Sequence, residues 1–115
     1  MLTFMEAIAR QEGFYASGHN IPKDNNNPGD LENEPWEKKY NSLPTAGRFA
    51  DFDTVADGFA AMRALLDESY LGLTVFQAIH RWAPSVENND DIYVKDVCAW
   101  TGLTPTTILT PALIS

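Results

Sequence analysis

The sequence predicts an α+β fold that is predominantly helical, with a small β-hairpin or sheet between the first helix and a C-terminal cluster of helices. Three observations predict it. Apolar residues recur at helical spacing at the start of the chain and again from residue 54 onward. The intervening stretch, residues 15–53, is rich in Asn, Gly, Pro and Asp, which favour turns over long helices. Within that stretch residues 48–52 alternate polar with apolar in the manner of a strand.

The first helix is predicted over residues 3–12. Thr3 and Glu6 form a capping-box pair, Leu2, Met5, Ile8 and Ala9 make an apolar stripe, and Gly13 is placed to leave the helix in the left-handed conformation. Glu12 therefore falls at the C-terminal end. The polar middle reads as ordered loop with short strands, because Trp36, Tyr40, Leu43, Phe49 and Phe52 are more aromatic and apolar than a disordered linker carries. From Thr54 a second helix places Val55, Phe59, Met62, Leu65 and Leu66 on one side and ends at Gly72. Thr74 and Gln77 start a third, with Val75, Phe76, Ile79 and Trp82 on its apolar face and Pro84 as its stop. A fourth begins at Asp90 or Asp91, buries Ile92, Val97 and Trp100, and stops at Gly102. Thr104 and Pro105 read as the cap and first position of a short last helix, and residues 111–115 as a frayed tail.

At 115 residues and 44% hydrophobic, the chain suits a single domain, residues 1–115, around one core. No stretch approaches eighteen consecutive apolar residues, so no membrane insertion is expected, and charges within residues 1–13 interrupt the apolar run that a secretory signal peptide needs. Sixteen Asp plus Glu against eight Lys plus Arg give a formal charge of −8, which opposes binding to a phosphate backbone. Nucleic acid is not an expected partner. The lone Cys98 precludes an internal disulfide and reads as a buried structural thiol, and no His/Cys cluster has the spacing of a zinc site.

Two features could carry chemistry. Glu12 sits beside Gly13, Phe14 and Tyr15, where burial would raise its carboxyl toward the range a general acid needs; a solvated helix-end glutamate is the plainer reading of the same spacing. The run Asn25-Asn26-Asn27-Pro28-Gly29-Asp30 sets three carboxamides before a Pro-Gly turn. It serves either turn geometry or the hydroxyl and N-acetyl groups of a sugar chain, with Trp36, Tyr40 or Trp82 as apolar sugar platforms.

In order, Ala7-Ile8-Ala9-Arg10-Gln11-Glu12-Gly13-Phe14, the Asn run, Phe49-Ala50-Asp51-Phe52-Asp53 with Gly58-Phe59, and Arg81-Trp82-Ala83-Pro84 with Glu87-Asn88-Asn89 and Tyr93 resemble the small lysozyme-like domains of bacteria and phages. These are relatives of lytic transglycosylases and goose-type lysozymes, and the resemblance spans residues 2–102. It implies a lysozyme-like fold in which Glu12 ends the first helix and faces a cleft. It further implies a peptidoglycan glycan strand as partner, with Glu12 protonating the β-1,4 oxygen between N-acetylmuramic acid and N-acetylglucosamine. Asn26, Asn27, Asp30, Trp82, Asn88 and Tyr93 become the implied substrate contacts, and no metal or organic cofactor is needed.

The chain departs from the family in carrying Asp30 where many relatives have Asn, and Trp82 where many have Tyr. Trp lacks a hydroxyl, which leaves Tyr93 as the candidate for that role. A hydrolase needs a second carboxylate, for which Asp51 is the first choice and Asp30 the reserve, whereas a lytic transglycosylase closes an anhydro ring without one. Asp53 reads as a helix cap and Glu87 as a loop acid. Action would fall on the bacterial cell wall, in the periplasm, outside the cell or from a virion. The alternative is a noncatalytic lysozyme-like module, structural or glycan-binding, in a virion or envelope assembly.

Overall fold

A computed structural model describes residues 1–84 and 88–115; Ser85, Val86 and Glu87 of the expected polar loop lie outside the described residues. The domain is α-rich and carries a small two-stranded antiparallel sheet. Helix α1 runs Phe4–Gln11 and begins with the expected reciprocal cap: the Glu6 amide donates to Thr3 Oγ1 at 3.2 Å and the Thr3 amide to Glu6 Oε1 at 2.9 Å. Its buried face is centred on Phe4, Ala7, Ile8 and Ala9, with Leu2 and Met5 only partly covered. Glu12 is the C-cap, and Gly13 follows with φ of +93°. That backbone region suits glycine.

The polar middle departs from the expected loop-and-strand reading in two places. Ile21–Asp24 forms a single helical turn, α2, capped by Asn20, and Pro35–Tyr40 forms a 3₁₀ helix. Both start near a proline, whose fixed φ and missing N–H suit a first turn. Neither is long enough to show a helical period. The sheet pairs β1 (Ser42–Leu43) with β2 (Asp51–Phe52), in the register Ser42 to Phe52 and Leu43 to Asp51. A further bridge joins Glu32 to Phe49, and the Ala50 amide donates to the Leu31 carbonyl at 2.9 Å.

Helices α3 (Val55–Ser69), α4 (Val75–Trp82) and α5 (Asp90–Thr101) follow where expected, with Thr54, Thr74 and Asn89 as their N-caps; Thr54 and not Asp53 caps α3, and Val55, Phe76 and Ile92, expected on the apolar faces, lie exposed in first turns. Two expectations for the end of the chain are corrected. Residues 104–108 make a turn and an isolated bridge from Ile108 to Thr74 rather than a helix, because Thr hydroxyls at 104 and 107 satisfy each other and the local backbone. The tail is not frayed: Pro111–Ile114 forms α6, and Ile114 is wholly buried against α1 and α3.

Packing divides into two clusters. The larger, built on Phe4, Ile8, Met62, Leu66, Ile79, Val97 and Leu109, fills the space between the helices. The smaller, Leu31, Ala50, Phe52 and Ala61, seats the sheet and the Asn-rich segment on α3. Leu65 and Trp82 touch both. A cleft opens along that joint. Among the described residues no helix is long and apolar enough to cross a membrane.

Candidate functional site

The cleft encloses about 780 Å³ and is lined from both layers, by Glu12, Asp30, Leu65, Tyr70, Trp82 and Asn88 among others. Glu12 reaches it because α1 ends there and Gly13 turns the chain away. The turn is pinned from outside: Asn20 Nδ2 donates to the Gly13 carbonyl at 2.7 Å. Tyr93, one turn into α5 and 3% exposed, donates its hydroxyl proton to Glu12 Oε2 at 2.7 Å. This bond joins residues 81 apart in sequence.

Electrostatics at Glu12 favour the protonated acid. Burial pushes its carboxyl above the usual range, the Tyr93 hydrogen bond opposes that by stabilising the carboxylate, and the nearby Asp30 charge raises it further. Tyr93 itself is pushed well above an ordinary phenol, first by burial and then by the Glu12 charge, so it stays a donor. Asp30 is also raised by burial, with Arg48 pulling the other way. Its backbone is left-handed, at φ of +52°, and its Oδ1 is buried without a hydrogen-bond partner among the described residues. A non-glycine residue held in that region and turned toward a cleft is a common mark of a functional position.

The structure divides the residues that the sequence singled out. Glu12, Asp30, Trp82 and Asn88 line the cleft. Asn88 Nδ2 also donates to the Pro84 carbonyl at 3.3 Å. Trp82 packs edge-on to Tyr70 with centroids 5.6 Å apart, and a side chain on Gly29 would press into its ring at 3.0 Å. Tyr93 is not among the lining residues, because its ring is enclosed in the helical core, and it meets Glu12 instead of open space.

Asn26, Asn27 and Asp51 are not brought to the cleft. Asn27 is fully buried: its Nδ2 donates to the Leu31 and Ala50 carbonyls at 2.9 and 3.0 Å, and its Oδ1 accepts from the Leu31 amide at 2.9 Å. Asn26 sits at φ of +49° and donates to the Phe52 carbonyl at 3.0 Å. The carboxamides that suit a sugar suit an irregular backbone equally well, and here they spend their hydrogen bonds on it. Asp51 stands opposite Leu43 in the sheet, while its neighbour Phe52 enters the smaller core. Of the two candidate second acids, Asp30 is the one beside Glu12.

Glu32, Glu34, Trp36, Glu37, Arg48 and Arg81 also line the cleft. Sequence spacing offered little sign of the acids, apart from the Glu34-Pro35 step that opens the 3₁₀ helix. Arg48 holds Glu32 at 2.9 Å and lies over the Phe49 ring; Arg81 donates to the Ser69 carbonyl and lies over Tyr70. Among the described residues no group of His, Cys, Asp and Glu is arranged to hold a metal ion. No family model, no curated protein and no solved structure matches the chain.

Proposed function

We propose that the chain cleaves peptidoglycan glycan strands at the β-1,4 bond between N-acetylmuramic acid and N-acetylglucosamine, on a lysozyme-like scaffold, with Glu12 as general acid. The observation that carries this reading is one half-buried carboxyl, raised above its usual range, fixed by Tyr93 at 2.7 Å and open to a cleft with aromatic walls. Such an acid stays protonated closer to neutrality than a solvated glutamate and so has a proton to give.

Glu12 passes that proton to the glycosidic oxygen as the bond from the muramic acid C1 breaks, leaving an oxocarbenium-like centre and a Glu12 carboxylate. Two completions are open to this site. A water attacks C1 with Asp30 as the assisting carboxylate, or the muramic acid C6 hydroxyl attacks C1 and gives its proton to Glu12, closing an anhydro ring. The products differ by one water. The place of action is the bacterial wall, reached from the periplasm, from outside the cell or from a virion.

Incubating wild type and Glu12→Gln with purified peptidoglycan, followed by mass spectrometry of the soluble muropeptides, tests the reading. Wild type should release fragments, and Glu12→Gln should release at least about a hundredfold less while its Tm stays within a few degrees. Anhydro ends would mark the lyase route and reducing ends the hydrolase. Release that survives Glu12→Gln would overturn Glu12 as the acid. A second reading, a structural or glycan-binding module without turnover, is favoured by the departures at Asp30 and Trp82, both in the cleft wall; wall binding with no fragments from wild type would support it.

A further inference from the structure

The cleft carries more carboxyl groups than acid catalysis requires. Glu12, Asp30, Glu32, Glu34 and Glu37 line it against Arg48 and Arg81, and both guanidiniums are engaged by protein groups. Glu37 is the informative member. Its side chain is 0% exposed, yet it belongs to the cleft wall; Oε1 accepts from the Glu34 amide at 2.7 Å, whereas Oε2 has no hydrogen-bond partner among the described residues. An enclosed carboxylate oxygen left without a donor is costly unless something brings one. Asp30 Oδ1 is in the same condition. Trp36, between Glu34 and Glu37 in the chain, is 38% exposed and offers an apolar face beside these acids.

Resting on the glycan-cleaving reading of this cleft, we propose that its preferred substrate is a glycan strand carrying free sugar amines, that is, partly de-N-acetylated, with an ammonium donating to Glu37 and Glu34. A neutral N-acetyl group has one amide donor and brings a carbonyl oxygen toward carboxylates; an ammonium has three donors and the opposite charge. The same charges disfavour a fully acetylated wall strand, whose own ionised groups are carboxylates.

Calorimetric titration of the wild-type chain with the hexamers of glucosamine and of N-acetylglucosamine, at about pH 6, tests this. The glucosamine hexamer should bind about tenfold more tightly at low salt. Glu37→Gln and, on the exposed rim, Glu34→Gln should each cut that preference, while Glu68→Gln on the outer face of α3 leaves it intact. Equal affinity for the two hexamers, no binding of the glucosamine hexamer, or a preference unchanged in both cleft variants overturns the proposal. An N-acetylmuramyl peptide bearing a lysine is the third ligand: tighter binding of it than of the glucosamine hexamer would assign the amine to the peptide stem and overturn the sugar assignment. Failure of the catalytic reading looks different, since wild type would then release no muropeptides whatever its preference between hexamers.

Discussion

Glu12 owes its properties to two neighbours that act in opposite directions. Tyr93 stabilises its carboxylate and fixes one oxygen, while burial and Asp30 stabilise its protonated form. Tyr93→Phe removes the first influence and keeps the others, so the Glu12 carboxyl should rise further. A general acid works while protonated, so the alkaline limb of the kcat/KM profile on peptidoglycan should move to higher pH. Loss of positioning should also lower kcat/KM by about ten- to a hundredfold. An unmoved limb would reduce Tyr93 to packing. Position at a helix end made Glu12 legible in the sequence, and Tyr93 was singled out as the hydroxyl near it. That the hydroxyl bonds to Glu12 was not legible, because it depends on which face of α5 is buried. Glu37 carries only the three-residue spacing from Glu34 that its capping bond uses, and nothing that marks it as buried in a cleft wall.

Single turns and irregular segments are where the reading of elements fell short. The long helices announced themselves by period and caps, whereas α2, the 3₁₀ helix and α6 span too few residues for periodicity to appear. Tertiary contacts hold them, Ile114 being the clearest case. The Asn run is the framework of the smaller layer, and it lies so close to α3 that a Cβ on Gly58 would collide with the Asn26 carbonyl. Asn27→Ala should strand the Leu31 amide in the interior, while the Leu31 carbonyl keeps the Ala50 amide and the Ala50 carbonyl keeps Asn25 Nδ2, and should cost about 2 kcal/mol. Urea unfolding followed by Trp fluorescence would measure it. Glycan affinity under conditions where the variant is fully folded should change little, because Asn27 has no atom to offer the cleft.

For the molecule as a whole, the cleft is a seam between two packed clusters, and a seam has no sequence signature of its own. Leu65 and Trp82 were readable as apolar, but their sharing between the two clusters was not. Net charge was readable directly, and it has a consequence for the proposed cleavage. A chain of formal charge −8 meeting an anionic wall is repelled at long range, and salt shortens that range to about 10 Å at 0.1 M. Cleavage of a fully acetylated wall should therefore rise a fewfold as ionic strength increases from about 10 to 150 mM. A rate that falls steeply with salt would indicate a basic docking surface instead. Amine-bearing ligands should show the reverse trend.

The bond from Tyr93 to Glu12 also bears on when the site comes into being. During synthesis α1 is made early, but the hydroxyl that fixes its acid arrives 81 residues later, on a helix that must dock against α1 from its start to its end. The Leu2 amide donates to the Trp100 carbonyl at 3.0 Å, and the Arg10 guanidinium lies over the Trp100 ring. A nascent chain that has not yet completed α5 holds Glu12 without the cover that raises its carboxyl or the hydroxyl that fixes it. The surroundings of Glu12 thus form only once α5 has been made, so a product truncated before Tyr93 would lack them.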